Sequence, residues 1–318
     1  MIYVEIHGRL GNQFFQYATA RYLQIRTGQN IVLRFGKVNG SNTEGKEGWE
    51  NSLRFFRLSS YEVDNRKKSI IFCMPLHKMI VSLFYALGYR RFKYDLKRTY
   101  IYQLKYIDKM DKLGIWWISN GYYKFSYDKE NYYLNGSFES KLYFDEIREV
   151  LLKEIIPIND PLKQNYKLLK TIKNTNPVCV SLRHFQISED RINDYEVCTK
   201  KYYLSAINVI LKHVDNPLFI VFSDDIIWAK KTLPITGNVI YEKEGNPLWE
   251  KVRLMSSCKH FIIPNSSFAW WMQYLGTYEN KIVIGPERWF NNDFVSPLVD
   301  EIWIKIDKEG NVLGNTYD

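Results

Sequence analysis

Two hydrophobic periods meet near the start of the chain. Ile2, Tyr3, Val4 and Ile6 form a short apolar or β-branched run, the pattern of a buried strand. His7-Gly8-Arg9-Leu10-Gly11-Asn12-Gln13 interrupts it, and Phe14, Tyr17, Ala18 and Tyr22 then recur at helical spacing. A strand, a glycine-bearing turn and a helix are predicted. Residues 34–52 are rich in Gly, Asn and Ser and read as a loop. Residues 53–112 mix short apolar runs with basic helical patterns. Ile115 to Ile118 reads as a strand, YYLNGSFES gives another short strand, and Phe144, Ile147, Val150, Leu151 and Ile155 return to helical spacing. Pro157, Asp160 and Pro161 break that pattern, which places a boundary near 157–162 and domains at 1–157 and 158–318.

The second half alternates strictly. Val178 to Leu182 is a buried strand, followed by the helix KYYLSAINVILKH, the strand NPLFIVFSDD, which ends in two carboxylates, and the helix IIWAKKTL. NVIYE, LWEKVRLMSSC, HFIIPNSS, FAWWMQYLG and a last strand in KIVIGPERWF continue the series. Strands alternating with helices at this pitch predict an α/β fold with a doubly wound parallel sheet. Ligands of such sheets bind beyond the carboxyl ends of the strands. Arg183-His184, Ser223-Asp224-Asp225 and Asn265-Ser266-Ser267 fall at three of those ends.

Size and charge narrow the reading. A chain of 318 residues has room for two domains of ordinary size. The formal net charge is +9, and the excess is uneven: residues 66–109 hold eleven Lys or Arg against two acids, Asp95 and Asp108. Apolar residues interleave with those cations, as on a surface that rests on an anionic membrane; a solvated basic face over a packed helix is the plainer alternative. No nucleic-acid-binding pattern accompanies the charge. Cys73, Cys179, Cys198 and Cys258 form no C-x-x-C or Cys/His cluster, so reduced thiols in a reducing compartment are expected. No stretch reaches the ~18 apolar residues of a membrane span and none reads as a signal peptide. These features predict a cytoplasmic protein, with peripheral contact at the inner membrane face through 66–109 as an option.

The polar clusters define the candidate chemistry. Gly8 and Gly11 permit positive φ and close backbone approach, and the amides that open the following helix suit an anion or a sugar. The spacing is not that of the dinucleotide fingerprint. Ser266 and Ser267 offer hydroxyls and helix-start amides to a phosphate, or serve as a plain N-cap worth about 1 kcal/mol. Of Asp224 and Asp225, one caps the next helix and the other is available to a ribose or a base edge. Arg183 is placed to pair bidentately with a diphosphate. Together these ends point to a nucleoside-diphosphate site. The chain has neither a P-loop nor a D-x-D motif, and an arginine clamp needs no metal.

HGRLGNQFFQYA, YLNGSFESKLYF, FIVFSDDIIWAKKTL and LMSSCKHFIIPNSSFAWWMQYLG together resemble the α-1,2-fucosyltransferase family, glycosyltransferase family 11, over most of the chain. The resemblance implies a GT-B architecture, two Rossmann-like domains facing a cleft. It also implies GDP-L-fucose as donor, inverting transfer to the 2-hydroxyl of a galactoside in an O-antigen or capsule glycan, and no required metal or other cofactor. The first domain would face the acceptor, and the second would bind the donor, with its tail packing back on the first. By position, His7, Gly8, Arg9, Gly11, Asn12 and Gln13 match the family's first motif, a sugar and donor contact. Asp224 and Asp225 match the segment near guanine or ribose, while Asn265, Ser266 and Ser267 match the one near the diphosphate. The family's H-x-R-R-x-D segment aligns with Ser181-Leu182-Arg183-His184-Phe185-Gln186, so only its first Arg is kept. That departure leaves two alternatives open: a different donor or acceptor, or a protein that binds GDP or glycan without transfer. Candidate catalytic residues are Arg183 for the leaving diphosphate and Glu189, Asp190 or His7 as the base, with His184 a weaker choice.

Overall fold

The structure, a computed structural model, describes residues 1–39, 49–92, 95–184, 193–235 and 237–314. It divides into two compact units, Met1–Ile156 and Pro157–Asp318. Glu189 and Asp190 lie outside the described residues.

The first unit is built on five parallel strands: β1 (Ile2–Glu5), β2 (Ile31–Arg34), β3 (Glu62–Asp64), β4 (Ile115–Trp116) and β5 (Tyr132–Leu134). Helix α1 (Leu10–Thr27) crosses from β1 to β2 and buries Phe14, Phe15, Ala18, Tyr22 and Leu23 before Gly28, at φ 69°, ends it. A single turn, α2 (Gly36–Asn39), and helices α3 (Leu76–Arg90), α4 (Leu96–Lys112) and α5 (Arg148–Glu154) follow. The α3–α4 hairpin sits on the sheet through Tyr85, Met110, Ile115, Trp117 and Tyr133. The strand order is β3-β2-β1-β5-β4. The chain therefore steps outward to one side of β1 and then returns to its other side, which opens a crevice beyond the ends of β1 and β5.

The second unit repeats the device. Its strands are β6 (Asn176–Leu182), β7 (Pro217–Ser223), β8 (Val239–Tyr241), β9 (His260–Ile262), β10 (Val283–Pro286), β11 (Ile304–Ile306) and β12 (Val312–Leu313). Helices α6 (Tyr166–Asn174), α7 (Lys200–His213), α8 (Ile226–Thr232), α9 (Leu248–Ser256) and α10 (Ser267–Leu275) accompany them. The order is β12-β11-β10-β9-β6-β7-β8, with β12 alone antiparallel. Val178, Val180, Phe219, Val221, Ile262 and Ile284 pack from the strands against Tyr202, Ala206 and Ile210 of α7. The reversal point here lies between β6 and β9.

Several elements differ from the sequence reading. KIVIGPERWF is not the last strand: β11 and β12 follow it and extend the second unit's sheet. β11 hides in a polar tail because only Ile304 and Ile306 mark its inward face. The expected strand Ile115–Ile118 pairs only over Ile115–Trp116. The helical spacing from Phe144 gives a helix only from Arg148, because Lys141–Tyr143 and Asp145–Ile147 close tighter 3₁₀ turns. Gly8 takes a positive φ of 76°, but Gly11 lies in the first turn of α1. No helix among the described residues is long and apolar enough to cross a membrane.

Candidate active site

Beyond β1 and β5 the backbone is held open by glycines and pinned by amides. A Cβ on Gly8 would lie 2.9 Å from the Asn12 Cβ, and one on Gly136 only 1.9 Å from the Ile118 carbonyl oxygen. The buried Gln16 ties the two strand ends together: its Oε1 accepts from the His7 amide at 3.1 Å, and its Nε2 donates to the His7 and Gly136 carbonyls at 3.3 Å each. His7 is half-buried, with Nε2 3.2 Å from the Gly136 carbonyl. That contact places the ring proton on Nε2 and leaves Nδ1 as an acceptor. Burial, reinforced by the Lys37 ammonium, lowers the imidazole to about 4, so His7 is neutral at pH 7.

Glu139 follows in the same loop. Phe138 before it takes a left-handed φ of 52°, uncommon for a bulky residue and costing on the order of 1–3 kcal/mol. Its ring is buried and edge-on to Tyr143 at 5.5 Å, which holds the strained residue in place. Asn12 donates to the Glu139 Oε1 at 3.4 Å. The half-buried carboxyl is raised by burial to about 7, so a useful fraction is ionised near neutrality. Across the same strand ends, Lys37 donates to Asn135 Oδ1 at 3.2 Å, and burial lowers its ammonium. Arg9 occupies the N-cap of α1 without capping it through its side chain, and no acid stands in the first turn.

In the second unit, Arg183 and His184 leave β6 and meet the turn after β7. Arg183 Nη1 pairs with Asp224 Oδ2 at 2.5 Å, and Asp224 Oδ1 accepts from the His184 amide at 2.9 Å. Asp225 caps α8, accepting from Trp228 N at 2.8 Å and contacting His184 Nδ1 at 3.2 Å; the Trp228 amide leads the effects that hold its carboxyl below the ordinary range. The His184 ring stacks flat on Trp228, 4.5 Å between centroids. A buried ion pair braces this turn. Lys251 Nζ donates to Glu242 Oε1 at 3.0 Å and to the Ser223 carbonyl at 3.1 Å, and the Ser223 amide donates to the same carboxylate oxygen at 3.1 Å. Burial raises the Glu242 carboxyl, and Lys251 opposes the rise. Beyond β9, Ser266 caps α10, accepting from Ala269 N at 3.5 Å, and Ser267 begins the helix.

The structure brings His7, Gly8, Arg9 and Asn12 to one crevice, and Arg183, His184, Asp224, Asp225, Ser266 and Ser267 to the carboxyl ends of β6, β7 and β9. Three sequence candidates carry structural roles. Gln13 is fully buried, donating to the Gly8 and Glu50 carbonyls and accepting from Ser52 N. Gly11 is buried inside α1. Asn265 is buried and donates to the Tyr195 and Trp289 carbonyls. Glu139, Gln16, Glu242 and Lys251 were missed. The signal for Glu139 was its place just after a short strand, in NGSFES.

A cavity of about 570 Å³ opens beyond β10 and β11, lined in part by Glu196, Glu287, Arg288, Asn291 and Asp307. Its charges are largely committed: Asp307 holds the turn to Asn311, and Arg288 pairs with Glu287. Among the described residues, no three His, Cys, Asp or Glu side chains gather as metal ligands.

A profile of the family described as glycosyl transferase family 11 matches residues 1–307. Two Escherichia coli proteins are similar along their whole length. The O-antigen biosynthesis glycosyltransferase WbnK is 27% identical over 309 residues, 96% of this chain and 100% of that protein. An alpha-1,2-colitosyltransferase is 28% identical over 326 residues, 97% of this chain and 99% of that protein. Among solved structures, the fucosyltransferase NodZ from Bradyrhizobium aligns with a TM-score of 0.46 and 11% identity over 86% of this chain and 91% of that chain.

Proposed function

The chain belongs to glycosyl transferase family 11, and from that membership we propose that it transfers L-fucose from GDP-L-fucose to the 2-hydroxyl of a galactoside. The acceptor is a cell-surface glycan of O-antigen or capsule type, the anomeric centre is inverted, and no metal is needed. The observation that carries the reading is the convergence of Arg183, Asp224 and the start of α10 at the strand ends flanking the order reversal of the second sheet. A nucleoside diphosphate binds there: the guanidinium and the amides at Ser266 and Ser267 take the phosphates, and the Ser223–Asp225 turn faces the nucleoside. Arg183 leaves its carboxylate partner, in whole or in part, for the diphosphate.

The acceptor binds beside His7, Asn12 and Glu139. Its hydroxyl oxygen forms a bond to the anomeric carbon as the bond to the β-phosphate oxygen breaks, and the electron pair leaves with GDP. The hydroxyl proton passes to the Glu139 carboxylate. Glu139 suits that task better than His7, because a carboxyl titrating at about 7 is a stronger base than an imidazole titrating at about 4. Neutral His7 then orients the hydroxyl through Nδ1.

A second donor is the other reading. It rests on Ser181 and His184, which stand where the related enzymes carry His and Arg, and on similarity to an enzyme that transfers colitose. The discriminating experiment measures GDP release from GDP-L-fucose and from GDP-colitose, with and without β-galactosides, in EDTA. Acceptor-dependent release from GDP-L-fucose is expected, and Arg183→Ala lowers it by ~10²–10³-fold. Release from GDP-colitose alone replaces the donor. GDP binding with no release from either overturns the transfer reading.

A further inference from the structure

The α3–α4 hairpin inverts the usual surface pattern. On α3 the residues turned into the protein include Ser82 and Tyr85, both buried, with Met79, Ala86 and Tyr89 packed partly inward. The residues turned out are Leu76, Ile80, Leu83, Phe84 and Leu87, from 37% exposed at Leu83 to 71% at Phe84. At helical pitch they share an arc of about 100°, so they form one stripe and not scattered single exposures. Phe72, 59% exposed, precedes the stripe, and Arg90 and Arg91 close its far end. Helix α4 turns Lys97, Lys105, Lys109 and Lys112 outward, with Ile101 among them. A contiguous apolar face of this kind marks an interaction site.

Charge selects the occupant. Residues 66–109 carry eleven cations and two acids, so a second copy docked face to face would set like charges against each other. Nucleic acid takes the cations but gives an aliphatic stripe nothing to bury in. An anionic bilayer satisfies both halves at once. We propose that the outward face of α3 docks on a membrane, with Leu76, Ile80, Leu83, Phe84 and Leu87 entering the interface while the hairpin's cations meet anionic headgroups. This inference does not depend on the donor or on transfer.

The test is co-sedimentation of the full chain with vesicles of phosphatidylcholine, alone or in equal mixture with phosphatidylglycerol, at low and high salt. Binding is expected to need phosphatidylglycerol and to weaken with salt. The Phe84→Gln/Leu87→Gln double variant loses at least about tenfold in partitioning, and Lys97→Glu/Lys105→Glu loses most of the salt-sensitive part. All these positions are exposed, so unchanged melting of each variant confirms that only the surface was altered. Failure of the wild-type chain to sediment, or equal binding by the Phe84/Leu87 double variant, overturns the proposal. So does a dimer in sedimentation equilibrium that this double variant abolishes, which assigns the face to a second copy.

Discussion

Burial moves the Glu139 carboxyl up to about 7 and the His7 imidazole down to about 4. One physical cause acts in opposite directions because each group is driven toward its neutral form. The proposed base is thus a carboxyl that ionises near neutrality, and its proposed partner an imidazole that stays neutral. Glu139→Gln keeps the shape and removes the base, so turnover should fall by ~10²–10⁴-fold, with the donor KM little changed. The rising limb of the wild-type pH–rate profile near 7 should vanish with it. Stability supplies an independent reading. A carboxyl whose folded pKa lies above its unfolded value stabilises the fold below that unfolded value, and the contribution is lost as pH rises through about 7. Above that pH, Glu139→Gln should melt higher than the wild type. A variant that retains the limb near 7 would assign the base elsewhere, with Glu189 and Asp190 the next to substitute.

At the scale of elements, the Ser223–Asp225 turn is positioned from behind by Lys251 and Glu242. The Glu242 side chain is 1% exposed and that of Lys251 17%, so removing the ammonium strands a carboxylate out of water. Lys251→Met should cost about 3–5 kcal/mol in denaturant unfolding, and restoring neutrality with Glu242→Gln in the same chain should recover part of it. A loss under about 1 kcal/mol would show that the pair does not brace the turn. This pair also marks the limit of what the sequence shows. The strands of the second sheet were legible because β6 and β7 are largely apolar, with Ser181 the one polar residue inside the run Val178 to Leu182, and the polar residues at their ends were legible because a buried strand has no other use for them. Glu242 ends the weak run NVIYE, and its partner lies nine positions later on α9, a pairing that only the packing reveals. Gln13 shows the limit in the other direction: a polar residue at the start of a helix reads as a ligand contact, yet it is buried and its amide bonds to backbone. β11 was missed because three residues give too short a pattern to stand out.

Across the whole molecule, acid finds one sensitive histidine in each unit. His260, 6% exposed, accepts the Ile282 amide on Nδ1 at 3.1 Å, which requires the ring to be neutral with its proton on Nε2. Burial, helped by Lys259, lowers it to about 4 from 6.5, and His7 in the first unit is lowered to about the same value. The sign follows from the proton count: the unfolded chain takes up protons on these rings first, so stability is lost as pH falls from 6.5 through about 4. General repulsion adds to the loss, since the chain already carries +9 at pH 7, and a flat curve is not expected for any variant. The histidine share is separable. In His260→Gln the amide oxygen replaces Nδ1 as an acceptor and does not titrate, so the melting temperature should start slightly lower at neutral pH and fall less steeply toward pH 4. If the two units melt as separate calorimetric transitions, only the second unit's transition should flatten, while the one containing His7 keeps its slope. A melting curve for His260→Gln parallel to the wild type at every pH would remove His260 from the account and leave net charge as the cause.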